Sequence, residues 1–277
     1  MATLQPSANP SPAERVIPLH ELAPPQEPFE PWLDPMYEDP GVPLPDPPKR
    51  GDMQDYLRLH RPGVGTALEL YLARSHYPVL VVGGAYLCFD TRERRPWRVP
   101  DLMVALEVEP DPIIARNGYV IHEHGKPPDL VIEIASSTTG TTDYTAKRLD
   151  YARFGVTEYW RFDHTGGEYH DVALGGDRLV DGEYQPIPIT VNEEGIASGY
   201  SQVLGLDVRW DNGTLRFCDP VTGDCLPTWD EMQAELEAAT AERDAVTAER
   251  DAVTAERDAA LERVRQLEEQ RGSQQSE

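Results

Sequence analysis

Apolar residues of this chain cluster in five short runs that polar turns separate. Short runs rich in Val, Ile, Leu and aromatic residues are typical of strands buried in a sheet. The runs cover residues 78–82, 86–90, 100–106, 130–135 and 158–162. Gly83-Gly84 ends the first run, and the alternation of the second run predicts that it is the antiparallel partner of the first.

Helical patterns precede and interrupt these strands. One extends from Met53 to Tyr77, with a break at Arg61-Pro62-Gly63, and another fills residues 144–154. Thr141-Thr142-Asp143 predicts the N-cap of the second helix, and Gly155 predicts its C-cap. The order strand, helix, strand predicts a crossover that lays the last two strands side by side. The predicted fold class is therefore α/β, with a mixed sheet flanked by helices.

The segments around this core are of two kinds. Residues 107–126 are predicted to be a polar connection. After Asp163, short β-like pieces predict hairpins that extend the core, over residues 168–173, 178–180, 184–190, 206–210 and 215–217.

The two ends of the chain differ in composition from the core. The first 50 residues hold 14 of the 26 prolines, and we predict that residues 1–50 form a disordered or extended arm because they cannot bury enough apolar surface. From about Thr228 the chain becomes a charged helix in which the seven residues 240–246 repeat. The predicted domains are therefore this arm, an α/β domain over residues 51–227 and a long helix or coiled coil over residues 228–277.

The repeat leaves two interpretations of the C-terminal helix open. Its period places alanines in a seam with alternating spacings of four and three, at Ala241, Ala245, Ala248, Ala252, Ala255 and Ala259. Such a seam permits a homo-oligomer through this helix, but alanine buries little surface. A single solvated helix with Glu–Arg and Asp–Arg contacts explains the same pattern.

Charge and cysteine content limit the classes of function. The net charge of −24 argues against a nonspecific polyanion binder. Because most of it lies outside residues 51–165, a nucleic-acid cleft in the core is permitted but not indicated. Three cysteines without CxxC spacing, Cys88, Cys218 and Cys225, predict reduced thiols of a cytoplasmic protein. An apolar run of membrane-spanning length and a secretory signal pattern are both missing from the sequence.

One acidic residue interrupts the fourth apolar run: Glu133 lies in the middle of residues 130–135. A carboxylate inside a buried strand is costly unless a cation pairs with it or a metal binds it. Asp101 begins the preceding strand, from which it can approach Glu133 across the sheet. Mg²⁺ is often held by one or two carboxylates and several waters, and it stabilises charge on a phosphate. Lys147, on the following helix, would orient or deprotonate the attacking water or neutralise the phosphate, which suits phosphodiester hydrolysis.

Distance excludes the more obvious neighbour of Glu133. Asp129 shares its strand face, but four residues of strand span about 13 Å, whereas Mg²⁺ ligands lie about 2.1 Å from the ion. Asp129 is therefore predicted to end the loop or cap the strand. The residues alone leave one alternative open, in which Glu133 forms an ion pair with Lys147 or with an arginine and has no catalytic role.

Two further kinds of site lack the residues that they need. His122 and His124 would share one face of an extended segment, but no further ligands accompany them. A hydrolase with Ser136 or Ser137 as its nucleophile would need a base and a GxSxG turn, and the sequence offers neither. Both hypotheses are set aside.

The ordered motifs of this region resemble a known family. They are Val99-Pro100-Asp101-Leu102, then residues 128–136, then Asp143, Lys147 and Tyr151, then residues 155–160. Over about residues 50–220 the chain resembles the Uma-two endonuclease-like family, a branch of the PD-(D/E)XK restriction-endonuclease-like nucleases. The resemblance implies that fold and an endonuclease that hydrolyses DNA with Mg²⁺, or with Mn²⁺ in its place. It also implies that Asp101 and Glu133 bind the metal.

The chain departs from the parent pattern at one position. The lysine expected two residues after the acid is Ala135, and Lys147 matches the helix lysine of this branch instead. Glu69 corresponds to an accessory acid that some relatives carry, and His60 is a further candidate. The missing strand lysine supports an alternative from another class: a catalytically weak or inactive nuclease fold that acts as a binding or assembly module through its C-terminal helix.

Overall fold

The apolar runs form strands of a mixed sheet in the computed structural model, which describes residues 35–47, 63–93, 97–136, 143–170 and 172–274. The chain divides into two units, one up to Thr228 and one from Trp229. The elements of the first unit are, in chain order, a 3₁₀ helix (Pro35–Glu38), α1 (Val64–Leu72), β1 (Val79–Val82), β2 (Tyr86–Cys88), β3 (Leu102–Leu106), α2 (Pro110–Arg116), β4 (Gly118–Val120), α3 (Ile121–His124), β5 (Leu130–Ile134), a π-helical turn (Asp143–Lys147), α4 (Arg148–Phe154), β6 (Glu158–Phe162), β7 (Leu174–Val180), β8 (Glu183–Pro186), β9 (Thr190–Val191), β10 (Ala197–Ser201), β11 (Leu206–Asp211) and β12 (Thr214–Cys218).

The main sheet has the strand order β1-β3-β5-β6-β7-β8 within the described ranges. β5 and β6 run parallel, and the other neighbouring strands run antiparallel. The predicted crossover is confirmed, because the π-helical turn and α4 connect β5 to the parallel strand β6. Both strands are buried along their whole length, which explains why their sequences are continuous apolar runs. The predicted α/β class with a mixed sheet is confirmed.

The two faces of the main sheet pack against different partners. Successive residues of a strand point to opposite faces. Ile132 of β5 packs in a cluster with α1 and with the second sheet, whose order is β12-β11-β10-β9. Val131 packs on the opposite face, against Tyr151 and Phe154 of α4. Glu133 has the same orientation as Val131, so its carboxylate points to the face that α4 covers.

The prediction that residues 86–90 pair antiparallel with β1 is wrong. β2 pairs in parallel with β4, and β1 pairs with β3 instead. The physical reason lies in the burial of β2, whose three residues are all buried. Two of them, Tyr86 and Cys88, belong to a separate small cluster with Leu44, Trp97 and Val120. A strand buried on both sides does not follow the alternation on which the prediction rests.

Residues 107–126 are not the polar connection that we predict, because they contain α2, β4 and α3. Pro110 occupies the start of α2, and Asn117 ends it in the left-handed conformation with φ 58°. Both are recognised signals for helix ends, although the segment is too short for a clear apolar period. His122 and His124 lie on the helix α3 rather than on an extended segment.

Part of the Pro-rich arm lies against the α/β domain. Leu44 is buried in the small cluster around β2 and β4, and its N–H donates to the carbonyl oxygen of Arg116 at 2.7 Å. The Arg116 guanidinium donates to the carbonyl oxygens of Tyr37, at 2.6 Å, and Val42. Residues 35–47 are therefore ordered, contrary to the prediction of a disordered arm. The other residues of the predicted arm lie outside the described ranges.

The cysteine prediction is wrong for two of the three residues. Cys218 and Cys225 form a disulfide, and Cys88 is a buried free thiol. The chain turns back after β12 because Asp219 Oδ1 accepts the N–H groups of Val221 and Thr222. This turn brings the two cysteines opposite each other although six residues separate them. The thiol argument for a cytoplasmic location is therefore lost.

The hairpins downstream of β6 are present, but one predicted strand is wrong. Residues 168–170 do not extend, because Asp163 Oδ2 accepts the N–H groups of Tyr169 and His170 at 2.8 Å each. β10 has no counterpart among the predicted strands. This strand contains Gly199, which breaks the pattern of apolar residues. The absence of a side chain at Gly199 leaves room for Ile189 and Trp160.

The second unit is one helix, α5 (Trp229–Gln274). Its described side chains face solvent for most of its length, as a charged heptad sequence predicts. Of the helices in the described part of the chain, none combines the length and the apolarity needed to cross a membrane.

Candidate active site

Asp101 and Glu133 face each other across two neighbouring strands. β3 pairs with β5 so that Leu102 lies opposite Ile132, and one further step in this register places Asp101 opposite Glu133. Residues paired in this way lie about 4.5–5.5 Å apart at their Cα atoms. Asp101 Oδ2 accepts the N–H of Ile134 at 2.7 Å, which fixes the carboxylate at the end of β5. Both residues are buried, with exposed fractions of 1% and 0%.

Lys147 contacts Glu133 from the helical segment that follows β5. It is the last residue of the π-helical turn, a type of turn that often occurs at functional sites. Its Nζ lies 2.9 Å from Glu133 Oε2, and 17% of its side chain is exposed. The three residues that the sequence singles out are therefore in one place, and the ion pair between Glu133 and Lys147 is present. Of the predicted N-cap, Thr141 and Thr142 lie outside the described residues, and Asp143 begins the π-helical turn. Gly155 ends α4 with φ 84° as we predict.

Tyr151 is a site residue that the sequence argument does not assign. Its hydroxyl donates a hydrogen bond to Glu133 Oε1, and the ring is fully buried between Phe154 and Tyr159. Burial, and then the negative charge of Glu133, raise the pKa of the Tyr151 hydroxyl well above its ordinary value. The group therefore remains a hydrogen-bond donor. Its spacing of four residues from Lys147 places both on one helix face, which is the signal that could have identified it.

A second charged cluster adjoins Glu133 on the next strand. Arg161 of β6 lies in register with Glu133, and its Nη1 is 2.5 Å from Asp177 Oδ2. Arg148 Nη2 is 2.9 Å from the other oxygen of Asp177. Burial alone would raise the pKa of Asp177, but the charge of Arg161 and the hydrogen bond from Arg148 hold that pKa below its ordinary value.

The Arg161 side chain depends on a glycine beside it. A Cβ atom at Gly175 would lie 2.8 Å from Arg161 Nη2, closer than such atoms approach without displacement. The guanidinium thus lies across β7 toward Asp177. The sequence analysis does not identify this cluster, because its members come from three elements that only the folded sheet brings together.

The helix that carries Lys147 and Tyr151 is held by a further ion pair. Arg98, which precedes β3, contacts Asp150 of α4, and Arg153 lies 3.7 Å from the same carboxylate. Burial raises the pKa of Asp150 against the opposing effect of Arg98.

The other candidate residues that the structure describes lie on other elements. Asp129 lies directly before β5, where it accepts the N–H of Leu106, the last residue of β3, and lies 2.8 Å from Lys126 Nζ. Glu69 is exposed on α1, and His60 is outside the described residues. His122 is largely exposed and lies 4.0 Å from Asp90.

The donor set at the site fits a hard divalent cation. Within the described residues, His, Cys, Asp and Glu form no group of three or more that could hold a metal. The pair Asp101 and Glu133 supplies two carboxylates, and Mg²⁺ commonly takes one or two and keeps several waters. The remaining ligands of such an ion would therefore be water or substrate oxygens.

Comparison with known proteins assigns the chain to a family. A solved structure described as a "putative nuclease belonging to DUF820" from Anabaena variabilis is 16% identical to this chain, covers 52% of it and 71% of its own chain, and has a TM-score of 0.33. No protein of curated function matches the chain. The sequence profile of the family Uma2, described as "Putative restriction endonuclease", matches residues 64–209. Because this match covers more than half of the 277 residues, the chain belongs to the Uma2 family.

Proposed function

We propose that the protein is an endonuclease that hydrolyses DNA phosphodiester bonds with Mg²⁺, for which Mn²⁺ can substitute. The observation that carries this proposal is the convergence of Asp101, Glu133 and Lys147 at one end of β5. The family description supports a nuclease. We also propose a cytoplasmic location, for which the proposed DNA substrate is the remaining support because Cys218 and Cys225 form a disulfide.

Asp101 and Glu133 are the residues that would hold the metal. A bound Mg²⁺ stabilises charge on a phosphate and lowers the pKa of a bound water. Asp101 is fixed by the N–H of Ile134, so its orientation does not depend on the metal. Burial of both carboxylates makes their attraction for a cation stronger than at the surface, because the local dielectric constant is low.

Lys147 supplies the positive charge that the parent pattern places on the strand. Its ammonium lies at Glu133, and a position 17% exposed is accessible to a phosphate oxygen or to the attacking water. Ala135 is fully buried at the strand position where the parent pattern has its lysine. Lys147 would thus supply the positive charge that a lysine at position 135 supplies in the parent pattern.

Glu133→Gln tests the site assignment. We expect the substitution to lower plasmid cleavage in the presence of Mg²⁺ by roughly 10²- to 10⁴-fold, since a catalytic metal supplies several kcal/mol. Asp101→Asn is expected to abolish Mg²⁺ and Mn²⁺ binding in calorimetry. Glu183→Gln, at an exposed position of β8, is the control that leaves both unchanged.

Equal cleavage by Glu133→Gln and wild type would show that the site is assigned wrongly. A wild-type protein that binds neither metal would favour the other function class, a nuclease fold that acts as a binding or assembly module.

We further propose that α5 is a surface for self-association. Its large apolar side chains are exposed, at Leu236, Val246, Val253, Leu261, Val264 and Leu267. Arginines pair with the adjacent aspartates along the repeat, at Arg243–Asp244, Arg250–Asp251 and Arg257–Asp258. These pairs reduce the repulsion between acidic helices that approach each other through the alanine seam.

Removal of residues 228–277 is expected to convert an oligomer to a monomer in light scattering. In the full chain, Ala245→Glu with Ala252→Glu should have the same effect, because two charges enter the seam. Thr247→Glu, which lies off the seam, should leave the mass unchanged. The same number of chains per particle in all four proteins would exclude association through α5.

A further inference from the structure

Tyr151 contacts the proposed metal ligand directly and does so from inside the core. Its hydroxyl donates to Glu133 Oε1, and the exposed fraction of both residues is 0%. The ring is held by Tyr159, with the ring centroids 5.1 Å apart, and by Phe154, at 6.4 Å. Such packing leaves the hydroxyl with one position relative to β5.

The two oxygens of Glu133 have different partners. Oε1 accepts from Tyr151, and Oε2 lies 2.9 Å from Lys147 Nζ. A carboxylate bound at both oxygens cannot rotate without losing a contact, and lost hydrogen bonds are costly in a buried place. The Tyr151 contact is the more rigid of the two, because a packed aromatic ring has less freedom than a lysine chain.

Groups that donate a hydrogen bond to a metal ligand affect the affinity for the metal. A partner in this position fixes the orientation of the ligand, and its removal typically costs 10- to 100-fold in affinity or activity. We propose that Tyr151 is a positioning residue for Glu133 as a metal ligand: its hydroxyl keeps the carboxylate in one orientation. This inference rests on the proposed function, in which Glu133 binds Mg²⁺.

Two other buried tyrosines provide a matched comparison. The hydroxyl of Tyr184 donates to the carbonyl oxygen of Val156 at 2.8 Å, and that of Tyr119 donates to the carbonyl oxygen of Lys126 at 3.1 Å. Both rings belong to the same apolar cluster as Tyr151. Replacement of any of the three by Phe removes one buried hydrogen bond and keeps the ring, but only Tyr151 contacts Glu133.

The test compares Tyr151→Phe, Tyr184→Phe and the wild-type protein in two assays. Calorimetry with Mg²⁺ and Mn²⁺ should show affinity that is roughly 10- to 100-fold weaker for Tyr151→Phe and unchanged for Tyr184→Phe. The metal concentration that gives half-maximal plasmid cleavage should shift by the same factor. Thermal unfolding of both variants measures how much stability each one loses. We expect both variants to lose stability but only Tyr151→Phe to lose metal affinity.

A measurement on the wild-type protein covers the case in which Tyr151→Phe does not fold. The buried Tyr151 hydroxyl proton is followed by NMR during a Mg²⁺ titration, with the hydroxyl proton of Tyr184 as reference. We expect the Tyr151 resonance to shift with the midpoint found by calorimetry and the Tyr184 resonance to stay in place.

The outcomes separate this inference from the function on which it rests. In one outcome the wild type binds metal and cleaves DNA, but Tyr151→Phe has the same metal affinity as Tyr184→Phe, or the Tyr151 resonance does not shift with the metal. The positioning role is then wrong and the proposed function stands. If the wild type binds no metal, the proposed function fails and the positioning role fails with it.

Discussion

Lys147→Met is expected to lower DNA cleavage by roughly 10²- to 10³-fold without weakening Mg²⁺ binding. Methionine keeps an unbranched apolar chain and removes the charge. The scale of the expected effect is that of one oxyanion-hole donor, which stabilises charge in the transition state by about 2.7–4 kcal/mol. Lys147 Nζ lies 2.9 Å from Glu133 Oε2, so the ammonium competes with a metal for this carboxylate. Its removal should leave metal affinity equal or several-fold higher, as measured by calorimetry beside a plasmid-cleavage assay.

Lys126→Met is the matched control for this prediction. Lys126 also forms a close ion pair, 2.8 Å from Asp129, but Asp129 lies directly before β5, at the end of the strand opposite to Ile134. Loss of this ion pair should leave both cleavage and metal binding unchanged. Wild-type cleavage by Lys147→Met would remove Lys147 from the reaction and leave it a structural partner of Glu133.

Asp177→Asn is expected to cost about 3–5 kcal/mol in free energy of unfolding at pH 7. The substitution removes the negative charge that two guanidiniums contact, Arg161 at 2.5 Å and Arg148 at 2.9 Å. Asp177 and Arg161 are both buried, so water does not replace the lost charge. Urea unfolding of the two proteins, followed by circular dichroism, measures the difference.

The effect of this substitution should depend on pH in one direction. The pKa of Asp177 is lower in the folded protein than its ordinary value, which is about 3.9 in an unfolded chain. The carboxylate therefore stabilises the fold fully above that unfolded value, and the contribution is lost as the pH falls through the folded pKa. The difference between wild type and Asp177→Asn should be largest at neutral pH and shrink below about pH 4.

Asp207→Asn serves as the comparison for the buried pair. Asp207 lies 3.1 Å from Arg209 on the second sheet, where both side chains are partly exposed. Pairs of this kind contribute about 0–1 kcal/mol. Equal losses for the two variants would mean that the Asp177 cluster contributes no more than a surface ion pair.

The sequence predicts the proposed site residues because each is marked locally. Glu133 interrupts an apolar strand, Asp101 begins another, and Lys147 follows in the connecting helix. The crossover between β5 and β6 then brings the helix over the strand. These features depend on short-range pattern and on the handedness of one connection, which is why they can be inferred without coordinates.

Tyr151 and Arg161 could not be assigned a role from the same patterns. The spacing of Tyr151 from Lys147 places both residues on one helix face, but a tyrosine at such a position is typical of a packed core, and its role follows from the contact with Glu133. Arg161 reads as a polar interruption in β6 until the register with β7 places Asp177 and Gly175 beside it. Both cases require the strand register, which is set by packing across the whole sheet.

Long-range pairing also explains why parts of the predicted fold are wrong. β2 and β4 are short strands whose partner is chosen by a small separate cluster, and β4 itself lies in a segment that looks like a loop. The disulfide between Cys218 and Cys225 depends on a turn held by Asp219. Neither follows from composition or from cysteine spacing.

The division of the site between two elements has a mechanical consequence. The sheet carries both carboxylates, whereas the segment from the π-helical turn into α4 carries both donors to Glu133, Lys147 and Tyr151. Arg98 holds this short helix against the domain through Asp150. A displacement of the helix would therefore disengage the lysine and the tyrosine in a single event and leave the acids where they are. The position of this two-turn helix would then determine whether the proposed site is complete, because both donors move with it.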